Sequence, residues 1–206
     1  MKFLTTVLLS FAFFTLSAQD VSSTTSGFSF EAGGQYANWS SNSNFISDLA
    51  ELDPDGYGYK IGVGYGFSEK LSLRLAYSGV DFNLNENWTK FAVTGLDVYG
   101  QITFGGTLQK FRPFLGAGIS TRSMKVDPVT VAGVGEFELK NTGLGFFGTG
   151  GANYHFLPNL AGAFQLNFIA GSFSENTISG EQVDLDETVD LTIIALSLSV
   201  KYFFEY

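Results

Sequence analysis

Apolar and polar residues alternate with a period of two along most of the chain, which is the pattern of β-strands with one apolar face. In the last such run, apolar residues occupy every second position from Ile194 to Tyr206, with small or charged residues such as Lys201 between them. The run that begins at Tyr57 alternates in the same way with glycines and Lys60. The chain contains eight of these runs, at 28–39, 57–67, 71–80, 91–104, 113–123, 142–156, 160–173 and 188–206.

The connections between the runs alternate in length. Short connections occupy 68–70, 105–112 and 157–159, whereas longer and more polar ones occupy 40–56, 81–90, 124–141 and 174–187. This alternation predicts an antiparallel up-and-down meander with short turns at one end and long loops at the other, as in outer-membrane barrels.

The two faces of the runs differ in the size of their residues. One face carries large apolar residues, and the other carries Gly, Ala and Ser, which suit the narrow interior of an eight-stranded barrel. A soluble lipocalin-like barrel, the alternative, would direct its charged residues outward. Here the charged residues share the small face, so the sequence predicts an all-β, eight-stranded transmembrane barrel with five interior charges: Glu31, Lys60, Arg74, Asp97 and Lys201.

Aromatic residues are expected to form a girdle at each end of such a barrel. The short-turn end is predicted to carry Phe28, Phe30, Phe67, Phe104, Phe156, Tyr202, Phe204 and Tyr206. The long-loop end is predicted to carry Tyr36, Tyr57, Tyr77, Trp88 and Phe173.

The N-terminal segment is typical of a secretory signal peptide. Lys2 precedes an apolar stretch at 3–16, and small and polar residues follow it. A membrane anchor is the alternative, but the stretch is shorter than the roughly 20 residues a spanning helix needs. We expect a signal peptide at 1–18 cleaved after Ala18, a short periplasmic lead-in at 19–26 and the barrel at 27–206.

Composition narrows the chemistry. The chain of 206 residues has 11 Lys+Arg, 20 Asp+Glu and a net charge of −9, which argues against a nucleic-acid partner. It contains no Cys and one His, so thiolate sites and multi-histidine metal sites are excluded, and no cofactor is predicted. Charged residues make up 15% of the chain, compared with roughly 25% of an ordinary soluble domain.

Two motifs resemble those of the outer-membrane β-barrel family of the outer-membrane protein A and X type. The C-terminal run, with Tyr202, Phe204 and Tyr206, resembles the signal that the barrel assembly machinery recognises in that family. Residues 111–118, FRPFLGAG, resemble a strand opening common in such barrels. The resemblance implies a bacterial outer-membrane location, contact with outer-membrane lipid, assembly by that machinery and a monomeric barrel.

Two features could suggest enzyme chemistry. Residues 143–148 match G-x-G-x-x-G, but they lie inside an alternating run and no helical pattern follows, so dinucleotide binding is not expected. His155 is predicted to lie at the short-turn rim without an acidic neighbour on its strand, away from the end where barrel enzymes that act on lipid place their catalytic groups. The sequence therefore predicts no enzyme.

The five interior charges form what we call the interior charge ladder. We expect Glu31 to meet Lys201, because the first and last strands of a closed barrel are neighbours, and Arg74 to meet Asp97 on the adjacent strand. Buried charges must be paired, and eight strands leave little bore, so a plugged interior is favoured. The alternative is a narrow porin-like channel for small solutes.

The long loops offer the last candidate sites. Carboxylates cluster around Asp53 and along 175–187, where solvated surface charge is favoured over cation binding. The alternating valines of 124–141 are expected to extend a hairpin beyond the membrane, with an edge that could pair with a partner strand. The predicted function is therefore structural, or interacting through the extracellular loops.

Overall fold

The structure, a computed structural model, describes residues 24–40, 55–83, 89–131, 135–178, 181–183 and 189–204. The predicted signal peptide, most of the first long loop, Trp88 and Tyr206 lie outside these described residues. So do Asp53 and much of the acidic segment at 175–187. No helix in the described part is long and apolar enough to span a membrane.

The described residues form nine β-strands, and every pairing between them is antiparallel. The strands are β1 (Gly27–Ser40), β2 (Asp55–Gly66), β3 (Leu71–Phe82), β4 (Lys90–Thr103), β5 (Phe111–Val131), β6 (Gly135–Leu157), β7 (Leu160–Ile178), β8 (Glu181–Val183) and β9 (Val189–Phe203).

Eight of these strands, all except β8, close into a barrel. Strand β1 pairs with both β2 and β9, and the pairing of β6 with β7 completes the ring. When paired residues are followed once around the barrel from His155, the path returns to β6 at Gly145, ten residues away. This stagger means that the strands are tilted, as closure of an eight-stranded sheet requires. The predicted fold class is confirmed.

The predicted orientation of the two faces is also confirmed. Large apolar side chains point outward and are exposed, including Ile61, Leu75 and Leu198, whereas the charged residues between them are buried. Such a distribution is the reverse of that in a soluble barrel and matches an outward face that contacts hydrocarbon.

At the long-loop end, the structure confirms one expectation and corrects another. Strands β5 and β6 continue past the predicted ends, so most of 124–141 is a strand hairpin, as expected for a hairpin that leaves the membrane. The short strand β8 pairs with the end of β7 inside the segment expected to be a loop.

One predicted girdle residue is wrongly placed. Phe173 is 1% exposed and points into the barrel, because it lies on the inward face of β7 together with Ile169. The remaining described girdle residues are exposed on the outer face, as predicted.

Candidate functional site in the barrel interior

Glu31 is the centre of the barrel interior. Its carboxylate is 2.9 Å from Arg74 Nη2, 3.5 Å from Lys201 Nζ and 4.0 Å from Lys60 Nζ. The Ser199 hydroxyl donates a hydrogen bond to Glu31 Oε1 at 2.8 Å, and the Gln165 amide donates a second one. One carboxylate therefore serves three buried cations, and the expected contact of Glu31 with Lys201 is present.

Arg74 reaches Glu31 across an intervening strand. Arg74 on β3 lies opposite Gly64 on β2, and Glu31 on β1 lies opposite Gly62. A Cβ atom at Gly64 would lie 3.1 Å from Arg74 Nη1. Glycines on the inner face of β2 therefore leave the space that the guanidinium occupies.

The two interior lysines rest on aromatic rings. Lys60 Nζ donates to Gln165 Oε1 at 2.6 Å and lies 5.7 Å from the centre of the Tyr99 ring. Lys201 Nζ lies 4.6 Å from the centre of the Phe114 ring. Cation–π contacts of this length stabilise desolvated ammonium groups. The aromatic rings thus supplement Glu31, which alone cannot balance three cations.

The expected contact between Arg74 and Asp97 is wrong. Asp97 instead accepts a hydrogen bond from Arg122 Nη2 at 2.7 Å, and both side chains are buried. Arg122 lies opposite Gly95 on β4, and a Cβ atom at Gly95 would overlap its guanidinium. Arg122 can therefore lie over β4 to reach Asp97, while Arg74 turns the other way, over β2.

Toward the long loops, the polarity of the barrel reverses. The interior is filled there by apolar side chains, with the Trp39 and Phe91 ring centres 5.8 Å apart and those of Phe82 and Phe91 4.9 Å apart. At the same height the outward positions are polar. We call the apolar side chains that fill this end of the barrel interior the outer apolar cluster: Trp39, Phe82, Phe91, Met124, Val126, Phe173, Leu191 and Ile193. Outward polar residues around it include Asp81, Lys90, Lys140 and Asp190.

This reversal follows from the solvent on each side of the wall. Beyond the apolar belt the outer surface meets water, so apolar side chains are more favourable inside, as in any soluble domain. Within the belt the outer surface is apolar, and the interior takes the polar groups.

The short-turn end is closed by a further ion pair. Arg112 Nη1 lies 3.0 Å from Glu69 Oε2, in the turn between β2 and β3. The Thr25 hydroxyl and backbone N–H both donate to the same carboxylate at 3.0 Å. Burial alone would raise the pKa of Glu69, but these hydrogen bonds and Arg112 hold it below its ordinary value of 4.5. The residues before β1 are thereby fastened over the end of the barrel.

His155 lies at the predicted end but not at the rim. Its side chain is 0% exposed and stacks on Phe203, with ring centres 5.5 Å apart. Among the described residues neither imidazole nitrogen has a hydrogen-bond partner. Within that part of the chain, no three His, Asp or Glu side chains are grouped to hold a metal ion. The motif at 143–148 lies inside strand β6, as expected.

The barrel interior is closely packed where the described residues enclose it. A cavity of about 20 Å³ lies between the interior charge ladder and the outer apolar cluster, lined by Lys60, Asp97 and Arg122 among others. A second cavity, of about 10 Å³, lies near Glu69 and Asn153 at the short-turn end. A cavity of this size has room for about one water molecule.

Sequence reasoning missed Arg112, Arg122 and Gln165, which complete the interior network. Each lies at an inward position of its strand, two residues from another inward residue: Phe114, Ser120 and Ala163 respectively. Extending the period of two through all charged and amide residues of β5 and β7 would have found them.

Comparison with known proteins defines the family. No curated protein matches the chain. Among solved structures, Neisserial surface protein A is 20% identical with a TM-score of 0.61, covering 87% of this chain and 98% of that chain. OprG from Pseudomonas aeruginosa is 14% identical with a TM-score of 0.59, covering 91% and 100%. These identities show the fold alone.

A third similar structure is that of Ail, the attachment invasion locus protein of Yersinia pestis, in complex with the heparin analogue sucrose octasulfate. It is 12% identical with a TM-score of 0.51, covering 86% of this chain and 99% of that chain. Residues 6–204 match the profile described as "Outer membrane protein beta-barrel domain". The chain therefore belongs to the outer membrane protein beta-barrel domain family.

Proposed function

We propose that this outer-membrane barrel does not conduct solutes and acts at the cell surface through its β5–β6 hairpin. The filled interior carries the proposal, because the interior charge ladder, the outer apolar cluster and the Arg112–Glu69 pair obstruct the bore at three heights. A protein whose interior is closed must act through its surface. A narrow porin-like channel is the alternative that a conductance measurement would detect.

The hairpin supplies a suitable surface. Strand β4 stops pairing with β5 at Asp127, and β7 stops pairing with β6 at Leu139, yet β5 and β6 pair with each other as far as Val131 and Gly135. Lys125 and Glu138 hold the two strands together with an ion pair of 2.6 Å. Beyond the barrel, each strand therefore has one edge that pairs with no other described residue.

Exposed strand edges bind extended peptides by adding a strand. Pro128 lacks an N–H and weakens the β5 edge for this purpose. We therefore place the partner strand on the β6 edge, at 135–138. Strand addition depends on the backbone and requires no particular charge, which suits a hairpin that carries both Lys125 and Glu138. The heparin analogue bound by Ail, a polyanion, has no matching basic surface in this mixed hairpin.

Replacement of 127–138 by Asn-Gly tests the role of the hairpin. Val126 and Leu139 are paired, so a two-residue turn can join them, and the barrel loses only the last pair of β4 and β5, Lys90 with Asp127. Cells that express the shortened protein should lose attachment to one another and to a cultured cell monolayer. Unchanged attachment, with normal amounts of folded protein in the outer membrane, would refute the role.

A finer variant isolates strand addition. Glu136→Pro removes one N–H from the β6 edge, whereas Glu136→Ala keeps the backbone and removes only the charge. We expect Glu136→Pro to reduce attachment at least fivefold and Glu136→Ala to leave it unchanged. Equal losses in both variants would indicate recognition of the carboxylate instead.

The proposed location requires export. We infer cleavage after Ala18, which would leave the lead-in that includes Thr25 to fold against Glu69. Intact-mass measurement of protein extracted from outer membranes should give the mass of a chain beginning at Gln19. A mass that includes residues 1–18 would contradict the inferred cleavage.

A further inference from the structure

The buried charges of the barrel interior do not balance. Beyond the Arg112–Glu69 pair at the short-turn end, the described residues include two buried carboxylates, those of Glu31 and Asp97. The buried lysines and arginines of the same interior number four: Lys60, Arg74, Arg122 and Lys201. The chain as a whole has a net charge of −9, so the positive excess belongs to the interior alone. Because an uncompensated buried charge is costly, this excess calls for a further anion.

The excess adjoins a cavity. The cavity of about 20 Å³ between the interior charge ladder and the outer apolar cluster is lined by Lys60, Arg122 and Asp97. Arg122 Nη2 already donates to Asp97 Oδ1 at 2.7 Å, so these two charges compensate each other. The carboxylate that Lys60 Nζ contacts, that of Glu31, is 4.0 Å away, which is too far for a hydrogen bond. The wall of the cavity therefore carries one more positive charge than negative charges.

Two uncharged polar side chains also line the cavity. Ser78 lies directly opposite Lys60 on the neighbouring strand, and Gln35 lies on β1. They are 7% and 9% exposed, and neither side chain has a hydrogen-bond partner among the described residues. Lys60 Nζ donates one hydrogen bond, to Gln165 Oε1, and has further N–H groups to donate. Buried polar groups normally have partners, so these donors indicate an acceptor in the cavity.

We propose that the cavity binds one halide ion, chloride in the cell's surroundings, held by the Lys60 ammonium and by donors from Ser78 and Gln35. A monatomic anion accepts hydrogen bonds from several directions and removes one unit of the positive excess. A water molecule fits the same volume but carries no charge, so it would leave the excess unchanged. Sulfate and phosphate have several heavy atoms and exceed a space for about one water molecule. Charge and size together favour the halide, which would be a structural component of the closed interior.

Bromide locates the site directly, because it replaces chloride and scatters X-rays anomalously. Crystals of the refolded protein grown in sodium bromide should show an anomalous peak inside the cavity, in contact with Lys60 Nζ. Density for water at that position, without an anomalous peak, would overturn the proposal.

Thermal stability tests binding in solution. The protein should be refolded and heated in increasing sodium chloride, with the ionic strength held constant by sodium gluconate, whose anion is too large for the cavity. Once the site saturates, the midpoint temperature of the wild type should rise by roughly 3 °C for each tenfold increase in chloride. Lys60→Met removes the excess charge and should lose this dependence. Lys140→Met, at an exposed position of β6, is the matched control and should keep it.

Both variants should show the heat-dependent shift on SDS gels that verifies folding, and the bromide peak of the wild type decides the matter if Lys60→Met does not fold. Equal wild-type midpoints in chloride and in gluconate would overturn the proposal, since any peak would then reflect binding at crystal concentration only. Conductance is measured separately, so the proposed closed bore can hold even if the halide is absent.

Discussion

Glu31 and Lys201 face each other across the seam where the first and last strands of the barrel meet. They are directly paired between β1 and β9, and their charged groups are 3.5 Å apart. The same carboxylate contacts Arg74 from β3 and Lys60 from β2. Glu31 thus joins the two ends of the chain to two other strands inside the barrel.

Replacement of Glu31 by Gln should strongly destabilise the barrel. The change leaves three buried cations without their carboxylate, and breaking a buried ion pair by removing one partner costs about 3–5 kcal/mol. The temperature at which the compact band is lost on SDS gels should fall by many degrees. Glu175→Gln, at an exposed position of β7, is the control, and an equal effect of both changes would contradict the central place of Glu31.

A methyl group at Gly95 should disrupt the Arg122–Asp97 pair. A Cβ atom there overlaps the Arg122 guanidinium, whereas one at Gly100, farther along β4, meets nothing within 4 Å. We expect Gly95→Ala to lower thermal stability by about 1–3 kcal/mol, the range for overpacking, and Gly100→Ala to have little effect. Equal melting temperatures for the two variants would show that Arg122 does not need the space above Gly95.

The Glu69–Arg112 pair should make stability depend on pH. The folded state holds the pKa of Glu69 below 4.5. The stabilisation that the ionised carboxylate gives the folded protein is therefore present above pH 4.5 and is lost as the pH falls through the pKa of the folded state. The difference in melting temperature between the wild type and Glu69→Gln should therefore shrink as the pH is lowered below 4.5. Because Glu69 is one-third exposed, the effect should be under about 1 kcal/mol. A difference that stays constant as the pH is lowered through the acid range would contradict this origin.

The C-terminal assembly signal remains a prediction. Tyr202 and Phe204 are exposed on the outer face, with ring centres 5.0 Å apart, whereas Tyr206 lies outside the described residues. Phe204→Ala should lower the amount of folded protein in outer membranes several-fold if the assembly machinery reads this residue. Phe67→Ala, an exposed aromatic at the same end, should not. Equal losses would indicate a general requirement for interfacial aromatics.

The period of two was sufficient to predict the barrel, its orientation and the burial of the five ladder residues. Neighbouring side chains on a strand point to opposite sides of the sheet, so knowing which residues face inward is enough to determine these features. The same rule could have identified Arg112 and Arg122.

The sequence could not predict how the interior charges pair. The direction in which Arg74 turns depends on the glycines of β2 and on the register between strands, which alternation along one strand does not determine. The outer apolar cluster was missed for a related reason. Phe173 was assigned to a girdle because aromatic residues near strand ends usually face lipid, but β7 continues past the lipid boundary, where inward positions become apolar.

The most direct test of the closed interior is conductance in planar lipid bilayers. The protein should be refolded in detergent and accepted only if its band shifts on boiling before SDS electrophoresis, because closed barrels hold all their strands paired. We predict that the wild-type barrel inserts without discrete current steps in concentrated potassium chloride. Reproducible unitary steps that are absent from a boiled sample would contradict the account and favour the narrow channel.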